Sequence, residues 1–169
     1  MEKRKGIVTM KGNPVTLVGN PLHKGQVAPD FTALNLDLSS FTLSENIGKK
    51  IVISVAPSLD TEICNLQTIY FNEEAAKLEN TLLLSISMDL PFALKRYCAA
   101  KGIDNALVLS DHRDADFGLK YGFLMEEFRL LARGIVIIDE KGVLQYGQMV
   151  PEIAQEPDYD EALSFLKQM

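Results

Sequence analysis

Cys64 ends the stretch Pro57-Ser58-Leu59-Asp60-Thr61-Glu62-Ile63-Cys64, set between a strand-like run, Ile51–Ala56, and a helical pattern reaching about Leu78. The thiol is therefore expected in the first turn of a helix, just after a strand. Thiolates rather than thiols are nucleophiles, and the unpaired N–H groups and positive dipole end of a helix start favour the anion. Asp60 and Thr61 are both suited to cap this helix. With Thr61 as the cap, Cys64 falls at N3, where a capping box carries Glu. Thr61 and Cys64 are three apart and share a helix face. The hydroxyl is then within reach of the sulfur or of a substrate oxygen. These residue types support attack by sulfur on an electrophilic atom. A free cysteine is otherwise most often a buried, inert core residue.

The second cysteine, Cys98, closes the helical run Pro91-Phe92-Ala93-Leu94-Lys95-Arg96-Tyr97-Cys98. Asp89 is a candidate cap and Gly102 a candidate stop for that helix. Sequence position alone leaves open whether Cys98 is a core residue or a second redox group. The wide separation of the cysteines excludes a C-x-x-C motif, and no Cys/His cluster suggests zinc. His23 and His112 are isolated loop residues. Asp111, Asp114 and Asp116 do not have calcium-loop spacing and read as a solvated loop with a helix cap.

The elements that must position these residues follow from periodicity. Apolar, β-branched or Leu-rich runs at Ile51–Ala56, Thr81–Met88, Ala106–Ser110 and Gly134–Asp139 read as strands, with helical segments between several of them. That alternation predicts an α/β fold whose mixed central sheet is buried on both faces. Phe31–Leu36 and Ser40–Leu43 are shorter strand candidates. Asp139-Glu140-Lys141-Gly142 reads as a turn into Val143–Val150, an antiparallel neighbour. Lys11-Gly12-Asn13-Pro14 predicts the turn of an N-terminal β-hairpin over about 6–18. Pro21–Pro29 is a linker, and a last helix starts near Asp158. Met125–Phe128 and Tyr97 fit either a dimer patch or the core. With 169 residues and no internal repeat or second linker, a single domain over 1–169 is expected.

Net charge of −6 spreads along the chain, which disfavours nonspecific nucleic-acid binding. No apolar stretch follows the basic Met1–Lys5 segment, so neither a secretory signal nor a membrane span is expected. Two cysteines do not make a secreted disulfide scaffold. A reversible redox pair in the cytoplasm fits better.

Pro57-x-x-x-Thr61-x-x-Cys64 resembles the peroxidatic motif of peroxiredoxins. Ala28-Pro29-Asp30-Phe31, Ser87–Ala93, Leu109–Arg113, Leu130–Arg133 and Glu156–Tyr159 extend the likeness over almost the whole chain. The combination is similar to the thiol peroxidase subfamily, bacterial atypical 2-Cys peroxiredoxins. The resemblance implies a thioredoxin-like fold and no cofactor. It implies Cys64 as attacking sulfur, Cys98 as the resolving cysteine within the same subunit, and Thr61 and Arg133 as catalytic donors. Pro57 would shape the substrate pocket. It further implies hydroperoxide as substrate, thioredoxin as reductant and a homodimer. A peroxide sensor relaying oxidation to a partner is the alternative. Relatives usually carry Ala or Ser after the arginine; Gly134 departs from that, which is expected to loosen the strand start.

Overall fold

In a computed structural model the chain is described over residues 1–169, the side chain of Ala75 excepted. Strands β1 (Lys3–Met10) and β2 (Asn13–Val18) form the N-terminal hairpin, three residues longer at its start than the sequence indicated. Strands β3 (Thr32–Leu34), β4 (Ser40–Thr42) and β5 (Lys50–Val55) follow, and β5 leads into helix α1 (Glu62–Ala75). Then come β6 (Thr81–Ser87), α2 (Pro91–Lys101), β7 (Leu107–Ser110) and the short helix α3 (Asp116–Tyr121). Two-residue strands β8 (Leu124–Met125) and β9 (Leu130–Leu131) precede β10 (Gly134–Ile138), β11 (Leu144–Met149) and α4 (Tyr159–Lys167).

The main sheet has seven strands in the order β11-β10-β5-β6-β7-β3-β4. Its centre, β5-β6-β7, is parallel, and its flanks are antiparallel. Buried parallel strands read as continuous apolar runs because helices cover both faces. On one face Val52, Leu83, Ile135 and Ile137 meet Phe71 of α1 and Ala162, Leu163 and Leu166 of α4. On the other, Ile51, Ile53, Val55, Val136 and Ile138 meet α3 and the N-terminal hairpin. Alternate residues of β5 and β10 thus serve opposite faces, as the period of two dictates.

Three details correct the sequence expectations. First, β8 and β9 were hidden by their length; they join the hairpin in a second sheet, β1-β2-β8-β9. Met125 lies in the core, while Phe128 is exposed. Second, Asp111 is not solvated. It is buried and accepts the Phe117 and Gly118 N–H groups at 3.0 and 2.8 Å, satisfying the start of α3. Burial pushes its carboxyl up to about 6. Third, Gly134 does not loosen its strand. It pairs with Val55 on one side and Met149 on the other. A Cβ there would lie 2.1 Å from the Gln148 carbonyl oxygen and 2.8 Å from the Phe123 ring, so only glycine fits.

Candidate active site

The β5–α1 loop begins at the C-terminal end of a central parallel strand. Its buried Pro57 and Leu59 anchor the turn. Asp89, from the β6–α2 loop, fixes the rest: Oδ1 accepts from Ser58 Oγ at 2.7 Å, and Oδ2 from Leu59 N at 2.8 Å. Ser87 Oγ donates to Oδ2 at 2.8 Å. Asp89 therefore does not cap α2. Leu90 stands at that N-cap without a side-chain bond, Pro91 opens the helix, and Gly102 closes it at φ 67°.

Thr61 is the N-cap residue of α1, and Cys64 sits at N3 as its spacing indicated. The first intrahelical bond runs from Asn65 N to Thr61 O at 2.8 Å. By helix geometry the N–H groups of Glu62, Ile63 and Cys64 precede that bond and have no intrahelical acceptor. They and the dipole, equivalent to roughly half a positive charge, face the thiol end of the helix. The Thr61 hydroxyl does not cap; it donates to Ser58 O at 3.3 Å, and its residue is exposed. Thr68 Oγ1 donates back to Cys64 O at 2.8 Å.

Cys64 is 0 % exposed and Cys98 is 8 % exposed; both are free thiols. They share one buried cluster with Ala56, Leu59, Leu94, Ile103 and Val108. Burial pushes the Cys98 thiol above its ordinary pKa. Tyr97, beside Cys98, donates its hydroxyl to Asn65 Oδ1 at 2.5 Å and so ties α2 to the residue after Cys64. Burial drives the Tyr97 phenol up to about 12, which keeps it a donor. A pocket of about 380 Å³ opens between Ser58–Asp60 and α2, and one of about 430 Å³ reaches Cys98 from the β3–β4 side.

Arg133 immediately precedes β10 and is 2 % exposed. Its Nε donates to Ile153 O at 2.8 Å, and its Nη1 to Gln67 Oε1 at 2.9 Å. Gln67 is fully buried one helical turn after Cys64, on the same face. Its Nε2 donates to Ser54 Oγ at 2.7 Å, which fixes the amide with oxygen toward the guanidinium. No carboxylate pairs with Arg133 among the described residues. A buried cation without a counter-ion is costly. Such a charge is available to an anion, and Cys64 lies on the same stretch of α1.

Tyr159, the first residue of α4, packs against Tyr70 with ring centroids 4.5 Å apart and planes tilted by 33°. Its buried hydroxyl has no hydrogen-bond partner among the described residues. Its phenol is raised by burial first and then by Glu156; Cys64 adds to the shift and Arg133 opposes it. Both site residues are thus within electrostatic reach of this ring. The sequence did not point to Gln67, Asp89 or Tyr159 as site residues. Gln67 was discoverable only from its three-residue offset from Cys64. Among the described residues no group of three or more His, Cys, Asp or Glu is placed to hold a metal ion. Nor, among them, is any helix long and apolar enough to cross a membrane.

The family model described as Redoxin matches residues 23–163. A protein named thiol peroxidase from Oceanobacillus iheyensis is 54 % identical over 159 residues, covering 94 % of this chain and 97 % of its own. Another of that name from Listeria innocua is 51 % identical over 160 residues, covering 95 % and 97 %. The crystal structure of a peroxiredoxin-like protein from Aquifex aeolicus superposes with a TM-score of 0.89 at 40 % identity, over 99 % of each chain.

Proposed function

For a chain that belongs to the thiol peroxidases of the Redoxin family, we propose a hydroperoxide reductase cycle run by Cys64 and Cys98. The fold is the thioredoxin-like α/β fold that the resemblance implied. The observation that carries the reading is a buried thiol at N3 of α1, one turn before the Gln67 that binds a buried arginine no described carboxylate neutralises.

The Cys64 thiolate attacks the terminal oxygen of ROOH. An S–O bond forms, the O–O bond breaks, and RO⁻ leaves to take a proton as ROH. The Arg133 donors not used by Ile153 and Gln67, the N–H groups of the first helical turn and the Thr61 hydroxyl stabilise the leaving oxygen. Pro57, buried in the loop that leads to Cys64, shapes the substrate pocket. Cys98 then attacks the Cys64 sulfenic acid, an S–S bond forms, and water leaves. A dithiol protein of the thioredoxin class reduces the disulfide in two exchange steps. The cytoplasm suits that reductant. The functional unit is residues 1–169 as one domain, paired as a homodimer.

Ionisation alone is not enough. An ordinary thiol of pKa about 8.5 is roughly 3 % thiolate at neutral pH, so complete ionisation gains at most about 30-fold, or about 2 kcal/mol. The remainder must come from donors aimed at the transition state, which is the work assigned to Arg133.

A coupled assay tests the cycle. Peroxide consumption driven by thioredoxin, thioredoxin reductase and NADPH should be sustained in the wild type and abolished in folded Cys64→Ser. A peroxide sensor would instead stop after one equivalent of peroxide, with thioredoxin unable to restart it.

A further inference from the structure

The N-terminal hairpin has no step in this cycle, yet its turn is wired to Arg133. Lys11 and Gly12 have φ values of 51° and 80°. Two consecutive positive φ angles make the tight two-residue turn of a hairpin, and turn N–H groups so arranged form an anion-binding nest. The occupant is the Glu152 carboxylate. Lys11 N donates to Oε1 at 2.9 Å and Gly12 N to Oε2 at 3.0 Å. Thr9 Oγ1 adds a bond to Oε2 at 2.6 Å, and Ala154 N one to Oε1 at 3.2 Å. Together they hold the carboxyl far below its usual range, at about 2, the Thr9 bond contributing most.

Backbone bonds run alongside. Thr9 N donates to Pro151 O at 2.7 Å, and Ile153 N to Thr9 O at 2.9 Å. The same short segment grips the arginine at both ends. Val150 N donates to Arg133 O at 2.9 Å, and Arg133 Nε donates to Ile153 O at 2.8 Å. The hairpin turn therefore fixes Glu152, and the residue after Glu152 supplies the acceptor that orients the guanidinium. Every donor to Glu152 is a neutral group, so its charge is not spent on Arg133. The arginine is aimed without being neutralised.

We propose that Glu152 is a positioning residue for the peroxide step, through which the N-terminal hairpin sets the aim of the Arg133 guanidinium. The proposal rests on Cys64 as the attacking thiolate and Arg133 as a transition-state donor. Loss of the anchor lets the 151–153 segment drift, and displacement of a donor by about 1 Å costs up to about 100-fold in rate.

Two reagents on the reduced, full-length protein separate this role from simple stabilisation. Iodoacetamide needs only the thiolate. Hydrogen peroxide also needs donors aimed at the leaving oxygen. Glu152→Gln is expected to slow oxidation of Cys64 by peroxide about tenfold and to change alkylation by less than about twofold. Thr9→Val, which leaves the carboxylate in place, should shift the ratio the same way by less. In an Arg133→Met background, Glu152→Gln should change the ratio no further. An unchanged ratio in folded Glu152→Gln overturns the proposal, as does an equal loss with both reagents or an undiminished effect without Arg133. If Glu152→Gln does not fold, an unchanged ratio in Thr9→Val overturns it. A wild type no faster toward peroxide than a free thiol contradicts instead the underlying reading of Cys64 and Arg133.

Discussion

Arg133 Nη1 donates to Gln67 Oε1 at 2.9 Å, and the acceptor is an amide rather than a carboxylate. The guanidinium is oriented from α1 while its full charge remains. Gln67→Glu keeps the shape and places a counter-ion on the arginine. The positive charge that Arg133 offers an anion is then neutralised. Peroxide oxidation of Cys64 should slow about tenfold while the fold is kept. Stopped-flow oxidation of wild type and variant checks this; equal rates remove the charge argument.

Removing the donors themselves should cost more. Arg133→Met deletes charge and N–H groups and should slow the peroxide step by about 100-fold. Thr61→Val keeps shape and deletes only the hydroxyl, whose bond to Ser58 O is long at 3.3 Å. Its effect should be smaller but exceed any change in thiolate fraction. An unchanged oxidation rate for either, at a pH where the thiol is fully ionised, removes that residue from the site.

The Tyr97–Asn65 bond holds α2 against the first turn of α1. A disulfide needs Cα atoms within about 7 Å, and two helices seldom offer that geometry without local unwinding. Tyr97→Phe removes one hydrogen bond of about 1 kcal/mol, so disulfide closure after peroxide should speed up about fivefold. In the oxidised protein, amide exchange should rise around Thr61–Leu66 and Pro91–Cys98 while β5, β6 and β10 stay protected. Unaltered closure in Tyr97→Phe, or identical exchange in both redox forms, contradicts this latch.

Closure should also depend on pH with a definite sign. Burial raises the Cys98 pKa, so its thiolate is scarcer at neutral pH than that of a free thiol. The rate of disulfide formation from pre-oxidised Cys64 should rise with pH through the ordinary thiol range and continue above it. The linked stability has the opposite trend. The neutral thiol is favoured in the fold, so this contribution is whole below the unfolded pKa and is lost as pH rises through the folded one. Quenched-flow between pH 6 and pH 10, roughly, reads the rate; a flat profile would mean that Cys98 is not the attacking group.

What the sequence made legible was local. Runs such as Ile51–Ala56 and Gly134–Asp139 mark buried strands, because a two-sided core needs continuous apolar residues. Thr61 three residues before Cys64 marks the helix start, because caps and first-turn groups have fixed offsets. Strands β8 and β9 were not legible: two residues each show no period. Asp89 looked like a cap for the helix that follows it, but its acceptors face the neighbouring β5–α1 loop, a contact made only by the parallel pairing of β5 and β6. The burial of Arg133 was invisible for the same reason, since its partners Gln67 and Ile153 lie 66 and 20 residues away.

Whether Cys64 receives the peroxide oxygen is read directly by mass spectrometry of Cys98→Ser after one equivalent of hydrogen peroxide in the presence of dimedone. A dimedone adduct is expected on the peptide holding Cys64, formed once per chain, with no turnover on adding thioredoxin. The wild type treated alike should instead show a Cys64–Cys98 disulfide and little adduct. No adduct at Cys64 in the folded variant, or peroxide consumption that persists in Cys64→Ser, would contradict that role for Cys64.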